Sequence, residues 1–373
     1  MRSTSWAILV GATVVVAAGA AWTVWHDQTV TKADQGGGAV LPGLTARVND
    51  VAEIGVTGQN NSFKIVRQGD VWVVPDRAGH PADPNQVKKT VVGMAELRVL
   101  EPRTDNPANY NRLGVGDPGK DTPDAVGVVL KDAKDAVLAT LILGKVKEQE
   151  VAGKPGEIYV RRPGEKQSLL ASARLSPQPE IMRWVDTSIS RLSRDRMLDV
   201  EISQPGNEPV VKIVRDADKP KEFKLATPLA AGKRLKSDYE ITRITGGLDY
   251  LTFDDVKKAD QIALKDRVVA RYRTLDGLDV TVRTSTVDGK LWSTFEAAFN
   301  AERAAAYKPE AVEKDGKKEE AKADPDAVKK EAETIAKRVA GWAYQMPNGL
   351  ADGFTRKLSD MILDEPKDEK KGG

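Results

Sequence analysis

The segment Lys64-Ile65-Val66-Arg67 recurs 148 residues later as Lys212-Ile213-Val214-Arg215, and this repeat decides the fold that the sequence predicts. The pair Glu53-Ile54 recurs at the same offset as Glu201-Ile202. A repeated tetrapeptide alone could arise by chance, but the order of predicted elements around it repeats as well. The sequence therefore predicts two copies of one structural unit.

Each copy opens with a predicted β-meander, in which apolar and polar residues alternate and turn residues separate the strands. The predicted strands cover residues 51–57, 63–67 and 71–74 in the first copy, and residues 198–203, 211–215 and 222–225 in the second. More strands are predicted at residues 126–130, 136–143 and 158–161, and at residues 268–274, 278–283 and 291–295. Short connections between them favour antiparallel pairing.

A helix with its own start signal follows each meander. Asp83 is the predicted N-cap of the first helix, with Pro84 at its first position. Ser237 and Glu240 have capping-box spacing at the start of the second. Apolar residues then recur at helical spacing, at Val87, Val91, Met94 and Leu97 in the first helix and at Ile241, Ile244, Leu248 and Leu251 in the second.

The two copies are predicted to end differently. The first closes with a helix through Ile181, Trp184, Val185, Ile189 and Leu192, and the second with a strand at residues 342–346 and a helix through Leu350, Phe354, Leu358 and Met361. A Lys-, Glu- and Ala-rich insertion at about residues 307–334 has a first half that is predicted to be solvated or disordered. A helix starting at Asp324-Pro325 follows it, and residues 366–373 form a predicted disordered tail.

No charged residue interrupts residues 6–25. About 20 such residues, rising 1.5 Å each, span a hydrocarbon core of about 30 Å. Trp6 at one end and Trp22 and Trp25 at the other are the predicted membrane-anchoring residues. A cleaved signal peptide, cut after Ala18-Gly19-Ala20, is the alternative, and a buried helix of a soluble protein is a third interpretation.

Arg2 precedes this segment, and the positive-inside rule therefore places residues 1–5 in the cytoplasm. The prediction is a single-pass protein of the inner (cytoplasmic) membrane, with a flexible tether at residues 26–45 and its bulk in the periplasm. The predicted fold class is α+β: two tandem related units of antiparallel β-sheet packed with helices, at residues 46–195 and 196–365, preceded by one transmembrane helix.

Composition argues against several classes of function. The chain has 57 Lys and Arg against 55 Asp and Glu, so no net field recruits nucleic acid. It has no cysteine, which excludes thiolate nucleophiles and thiolate metal sites from its own residues. Its two histidines, His26 and His80, are far apart in sequence, and no metal-binding or catalytic motif adjoins His80.

Three further patterns suggest chemistry but have simpler interpretations. Gly114, Gly116 and Gly119 match a dinucleotide-binding pattern, but Pro118 lies inside it and no helix pattern follows. Adjacent acids such as Asp254-Asp255 point to opposite faces of a strand and make poor acid–base partners. The patterns around Trp72, Trp184, Trp292 and Trp342 predict core packing rather than stacking on sugars or peptides.

A set of short motifs, most of them in the first copy, identifies a family resemblance. They are Trp72, Asp83-Pro84, residues 109–114 before Pro118, Leu143-Gly144, residues 159–164 and Trp184-Val185-Asp186. Together they resemble the bacterial family known as domain of unknown function 4340 (DUF4340), over most of residues 45–362. The resemblance implies an envelope protein that is often encoded near components of an ABC-type transport system related to those of gliding motility. The family has no established active site to carry over, and the charged insertion departs from its usual pattern.

These observations favour a non-enzymatic scaffold or accessory protein of an envelope, ABC-type transport or assembly complex. Its expected partners are inner-membrane lipid and membrane transport-complex subunits, without nucleic acid, cofactor, metal or catalytic residues. The alternative is a periplasmic binding protein that takes a glycan, peptide or lipid in a cleft between the two copies. A carboxylate-dependent hydrolase is a further alternative, which requires acids from both copies to converge in one pocket.

Overall fold

The computed structural model describes residues 37–151, 153–309, 312–314, 317–319 and 324–365. Within that part of the chain, no helix is long and apolar enough to cross a lipid bilayer. The predicted transmembrane segment at residues 6–25, with Trp6, Trp22 and Trp25, lies outside the described residues. The fold class is therefore corrected to predominantly antiparallel β-sheet, without support for a single-pass anchor or for the inner-membrane localisation that depended on it.

The chain divides into two compact units, Met1–Asp186 and Thr187–Gly373. The first contains a nine-stranded sheet in which all neighbouring strands are antiparallel. Its strands are β1 (Val51–Thr57), β2 (Ser62–Gln68), β3 (Val71–Val74), β4 (His80–Pro81), β5 (Arg98–Pro102), β6 (Val126–Asp132), β7 (Val137–Glu148), β8 (Gly156–Arg161) and β9 (Ser168–Ala173). Their spatial order is β4-β3-β2-β1-β6-β7-β8-β9-β5.

Helix α1 (Pro84–Glu96) connects β4 to β5 and contacts β9. The prediction of its start is confirmed: the carboxylate of Asp83 accepts a hydrogen bond from the Asn85 amide at 2.9 Å, and Pro84 occupies the first turn. The buried residues of the helix are Val87, Thr90, Val91, Gly93, Met94 and Ala95. They form the apolar stripe that the sequence predicts. A four-residue helix, α2 (Tyr110–Leu113), follows β5.

The second unit contains an eight-stranded sheet, again antiparallel throughout. Three two-stranded sheets accompany it, formed by the pairs β10–β15, β14–β23 and β20–β21. In chain order these strands are β10 (Ser188–Ser190), β11 (Met197–Ser203), β12 (Val211–Arg215), β13 (Phe223–Leu225), β14 (Lys233–Leu235), β15 (Leu251–Thr252), β16 (Asp255–Lys258), β17 (Val268–Thr274), β18 (Leu278–Val287), β19 (Lys290–Phe299), β20 (Val312–Lys314), β21 (Lys317–Glu319), β22 (Trp342–Met346) and β23 (Ile362–Asp364). The eight-stranded sheet has the order β13-β12-β11-β17-β18-β19-β22-β16.

The helices of the second unit are α3 (Asp238–Thr245), α4 (Ala301–Ala306), α5 (Pro325–Val339), α6 (Asn348–Thr355) and α7 (Leu358–Met361). Helix α5 begins where the sequence predicts, because the carboxylate of Asp324 accepts a hydrogen bond from the Ala327 amide at 2.9 Å. It packs mainly against β19. The part of the charged insertion at residues 310–311, 315–316 and 320–323 lies outside the described residues, as does the predicted tail at residues 366–373.

The two sheets share one strand order. From β3 to β5, the first sheet reads β3-β2-β1-β6-β7-β8-β9-β5, and the second sheet has its counterparts in the same places from β13 to β16. Strand β4 extends the first sheet beyond β3. Among the described residues of the second unit, no strand pairs with β13 on that side. The two copies therefore differ at this edge.

Residues 37–41 are part of the first unit rather than of the tether predicted at residues 26–45. The Gly37 amide donates to the Val99 carbonyl at 2.8 Å, and the Val40 amide donates to the Leu97 carbonyl at 2.9 Å, so this segment covers the β5 edge of the sheet. Val40 and Leu41 are buried. The first copy thus begins by residue 37 and not at residue 46.

Strand β10 has the equivalent position in the second unit, where it pairs with β15 just before β16. Leu41 and Leu44 correspond to Ile189 and Leu192 at the offset of 148, and all four are buried. This earlier start explains why the units divide between Asp186 and Thr187, and not at residue 195 as predicted.

Three helix predictions were wrong in part. The helix predicted through Ile241, Ile244, Leu248 and Leu251 ends at Thr245, and Leu251 belongs to strand β15. The residues predicted to close the first copy as a helix form a 3-10 turn, Ile181–Trp184, and strand β10. No α-helix continues there, because the Trp184 carbonyl accepts a hydrogen bond from the Asp83 amide, and Val185 bridges to Ala82 beside β4. The closing helix of the second copy is divided into α6 and α7, because Arg356 between them has an extended backbone, with ψ of 134°.

Candidate functional site

Within the part of the chain that the structure describes, the chemical candidates that the sequence offers lie in separate elements. His80 is buried in β4, with Nδ1 3.1 Å from the Pro81 carbonyl oxygen, and His26 lies outside the described residues. Gly114 ends helix α2 with φ of 69°, and the element that follows Gly119 is strand β6, whereas a dinucleotide site needs a helix there. Asp255 begins the edge strand β16, and the amide of Asp254 donates to the Gln345 carbonyl. Four tryptophans lie in patterns that predict core packing. Of these, Trp184, Trp292 and Trp342 are buried, and Trp72 is partly exposed.

Two of the motifs that carry the family resemblance, residues 109–114 and 159–164, meet at Arg161 in the first unit. Its side chain is buried, and Nε donates to the Val115 carbonyl at 2.7 Å while Nη2 lies 2.5 Å from the carboxylate of Asp117. The guanidinium lies over the ring of Tyr110, 4.6 Å from its centroid. Tyr110 Oη in turn donates to the Lys166 carbonyl at 2.5 Å. Arg161 thus fixes the loop around helix α2 against the end of β8.

Gly144 explains another of these motifs. A Cβ atom at this position would lie 2.4 Å from the Leu113 carbonyl oxygen and 3.0 Å from that of Gly114. Only glycine lets β7 approach the loop so closely without displacement. Arg161 and Gly144 therefore both hold the loop around helix α2 in its place in the first unit.

The main polar cluster of the second unit surrounds Arg196, just before β11. Nε donates to Asp276 at 2.8 Å, and the two terminal nitrogens donate to Glu331 of helix α5 at 2.9 and 2.8 Å. Desolvation by burial lowers the pKa of Arg196, but the hydrogen bonds to Glu331 and Asp276 outweigh it, so the pKa is raised above its ordinary value. Thr274, which is buried, donates to the other oxygen of Asp276 at 2.5 Å.

An opening of about 350 Å³ lies beside this Arg196 cluster. Its apolar wall includes Tyr307, Pro309 and Pro325, and Asp324 adds a further carboxylate. Asp276 and Glu331 also line the opening. Both are paired with Arg196, and this pairing holds their part of the wall in place. The opening has the size of a small-molecule site. Across the described residues, no group of three or more His, Asp or Glu side chains is placed to hold a metal ion.

A second cluster joins helices α3 and α6. Glu240 is buried and accepts hydrogen bonds from Arg356 Nε at 3.0 Å and Nη2 at 2.7 Å, while Arg243 pairs with Asp352 at 2.6 Å. The capping-box prediction for Glu240 was therefore wrong: its carboxylate bonds to Arg356, and Ser237 makes no side-chain cap hydrogen bond.

Helix α6 approaches the turn that follows α3 closely, and a Cβ on Gly353 would lie 2.7 Å from the Cα of Gly247. Tyr272 of β17 donates from Oη to the Gly353 carbonyl at 2.8 Å. Its complete burial raises the pKa of the Tyr272 phenol. The side chain of Tyr272 therefore points to the face of the sheet that α6 covers.

Residues that alternate with Tyr272 point to the other face, which we call the open face. It is defined by the cross-strand row Lys212, Glu201, Arg271, Thr281 and Glu296, together with the adjacent residues Arg273 and Arg283 and the buried Asp199. Ion pairs join neighbouring strands here: Arg271 to Glu201 at 3.7 Å, Arg273 to Asp199 at 2.7 Å, and Arg283 to Glu296 at 2.6 Å. The hydrogen bond to Asp199 is the main reason that the pKa of Arg273 is raised.

Sequence reasoning did not find Arg161, Arg196 or Glu240 as members of clusters. A signal was present for two of them: Arg161 ends an apolar strand, and Glu240 lies directly before Ile241 on the apolar side of a helix. Arg196 gave no local signal, because its partners Asp276 and Glu331 follow it by 80 and 135 residues.

Comparison with known proteins gives one family. No curated protein matches the chain, and no solved structure does. The model of the family described as Domain of unknown function (DUF4340) matches residues 72–266, more than half of the chain, from β3 of the first unit to the residues before β17 of the second. The resemblance seen in the sequence is thereby confirmed, and the chain belongs to the DUF4340 family.

Proposed function

We propose that this protein is a non-enzymatic accessory or scaffold protein that acts by binding other proteins. The observation that carries the proposal is the open face of the second sheet. It presents charged side chains from several adjacent strands, and the helix α6 and the side chain of Tyr272 lie on the opposite face. Small molecules bind mainly in concave sites, whereas protein interfaces are broad and about as polar as the rest of the surface.

The state of the polar clusters also supports a binding role. Arg196 and Arg356 are saturated by carboxylates of their own unit, and both join secondary-structure elements that are distant in sequence. Such closed clusters stiffen a fold. A rigid sheet loses little conformational entropy when a partner docks on it.

The family resemblance suggests the kind of partner. The resemblance implies a gene near components of an ABC-type transport system, so we propose the subunits of such a transport or assembly complex as partners of this chain. The open face carries both signs of charge in alternation, and this pattern would set the register of the partner more than the affinity.

Copurification of the tagged chain with transporter subunits, in mild detergent, tests the proposal. We expect the double variant Arg271→Glu with Arg283→Glu to reduce recovery of the subunits about tenfold or more, because each reversal opposes the charge pattern of the face. The matched control is Lys329→Glu with Lys330→Glu, two exposed lysines on helix α5 that receive the same change of charge. Equal recovery with both double variants, or no subunit recovered with the unaltered chain, would contradict the proposal.

The opening beside the Arg196 cluster favours a second candidate function, a binding protein for a small ligand. A ligand in that opening must raise the midpoint of thermal unfolding. A screen of glycans, peptides and lipids against the unaltered chain and against Tyr307→Ala separates the candidates. A stabilising ligand that loses its effect in Tyr307→Ala supports this second function, and a screen without a stabilising ligand rejects it.

A further inference from the structure

We infer that the outer edge of strand β13 is a docking site for an extended, acidic segment of a partner protein, which adds to the sheet as one more strand. The inference rests on the proposed function, because it names the partner chemistry for a protein that acts by binding proteins. It concerns a different surface, the edge of the sheet and not its open face. Failure at the edge would therefore leave the open-face proposal standing.

In the first unit, the equivalent edge is that of β3, and another strand covers it. There, β4 pairs with β3 through Val73 and Val74, and the residues after β4 bridge onward to Trp184 and Val185. In the second unit, the chain leaves β13 and forms β14, which pairs with β23 in a separate sheet. Within the described residues, β13 therefore ends the second sheet, because β14, the counterpart of β4 before helix α3, pairs with β23 and not with β13.

The hydrogen-bond pattern shows which backbone groups this leaves available. The Asp216 amide donates to the Glu222 carbonyl, and the Ala226 amide donates to the Lys212 carbonyl. Hydrogen-bonded and non-hydrogen-bonded pairs alternate along an antiparallel ladder. Phe223 and Leu225 consequently direct their amides and carbonyls away from β12. These are the groups with which an added strand pairs.

The edge is also held in place before any partner binds. The guanidinium groups of Arg215 and Arg194 lie over the ring of Phe223, 4.7 and 5.2 Å from its centroid. Arg215 is itself fixed by donating to the Met197 carbonyl at 2.7 Å and to the Asp195 carbonyl at 2.7 Å. A preformed edge reduces the entropic cost of adding a strand.

Charge selects the partner. Residues 212–236 contain eight Lys or Arg residues and three Asp or Glu residues. The acids Asp216 and Glu222 are paired with Lys224 and Lys219. Lys221 and Arg234 are exposed and make no ion pair within the part of the chain that the structure describes. An extended segment rich in Asp or Glu fits this excess of positive charge, and a basic segment does not.

Two labelled peptides test the inference with the full chain. The first alternates Glu with Val over eight residues, and the second has Lys in place of every Glu. By fluorescence anisotropy in about 0.15 M salt, we expect the acidic peptide to bind about tenfold or more tightly than the basic one. Hydrogen exchange should show slower exchange of the Phe223 and Leu225 amides when the acidic peptide is bound, because only an added strand protects outward-pointing amides.

Two variants separate backbone pairing from charge. Leu225→Pro removes an outward amide without removing a bond to β12, and Lys221→Glu with Arg234→Glu reverses the exposed charge. Each should lower the affinity for the acidic peptide about tenfold or more, whereas the control Lys329→Glu with Lys330→Glu should change this affinity less than about twofold. Unchanged binding in Leu225→Pro, binding of both peptides alike, or no binding of the acidic peptide would overturn the inference. Thermal unfolding of each variant shows that it is folded.

Discussion

The carboxylate of Glu331 receives two hydrogen bonds from Arg196, one from each terminal nitrogen, at 2.9 and 2.8 Å. This geometry joins the start of β11 to helix α5, which comes from the insertion that the first copy lacks. Paired, bidentate contacts of this kind are stronger than single ones. The pair therefore fastens the insertion helix to the sheet.

Glu331→Gln should destabilise the second unit by about 1–2 kcal/mol, because one bidentate contact to a partly buried guanidinium is lost. Urea unfolding measures the loss, and hydrogen exchange should show earlier opening of α5 than in the unaltered chain. Glu333→Gln is the matched control, since Glu333 is exposed on the same helix. Equal loss in both variants would show that the pair with Arg196 does not hold the helix.

Gly353→Ala should cost about 1–3 kcal/mol, because the new methyl group would lie 2.7 Å from the Cα of Gly247 and force α6 away from the turn that follows α3. Gly349→Ala, on the same helix with nothing within 4 Å, should instead be neutral or stabilising by up to about 1 kcal/mol. Thermal unfolding of the two variants measures the difference. A stability of Gly353→Ala equal to that of Gly349→Ala would refute the close approach.

Leu41→Ala and Ile189→Ala should each cost about 2–5 kcal/mol, because both residues are buried at equivalent places in the two copies. Hydrogen exchange read by mass spectrometry resolves the two units, so the loss should appear in the first unit for Leu41 and in the second for Ile189. Val71→Ala is the control at an exposed position, with an expected effect within about 0.5 kcal/mol. A negligible effect of Leu41→Ala would place residues 37–41 back in a tether.

Asp132→Asn should make the dependence of stability on pH shallower in the acid range. The amides of Lys134 and Ala136 donate to the Asp132 carboxylate, and the pKa of this group is lowered below its ordinary value of 3.8, chiefly by the Lys134 amide. A lowered folded pKa contributes stability that is fully present above 3.8 and is lost as the pH falls through the folded pKa. The difference in free energy of unfolding between the variant and the unaltered chain should therefore be largest near neutral pH and should disappear on acidification.

Urea unfolding at a series of pH values between neutral and strongly acid measures this difference. Asp105→Asn removes another exposed carboxylate of the first unit and serves as the control. A difference for Asp132→Asn that stays constant, or that widens as the pH falls, would show that the hydrogen bonds of the turn do not act through this carboxylate.

Local signals predicted the elements whose causes are local. Asp83 and Asp324 cap their helices as the sequence indicates, and the meander strands form where apolar residues alternate. The edge strand β5 was missed, because it is held by pairing with β9 and with residues 37–40 and not by its own composition. The helix expected through Trp184 failed for a similar reason, since a distant strand edge decides the conformation there.

The candidate surfaces could be predicted from the sequence less well than the fold. The open face depends on register, which brings Glu201 beside Arg271 across two strands that are 70 residues apart. The β13 edge depends on a difference in pairing: β4 pairs with β3 in the first copy, whereas its counterpart β14 pairs with β23 in the second. Each follows from pairing between distant segments, and a single sequence contains little information about such pairing.

The pairing of β14 with β23 sets the order in which the two units can fold during synthesis. All the strands of the first unit have left the ribosome once residue 186 has emerged, whereas Lys233–Leu235 must wait for Ile362–Asp364. At about 5–20 residues per second, this delay is on the order of 10 s. During synthesis, a finished first unit should therefore precede a second that remains open to chaperones.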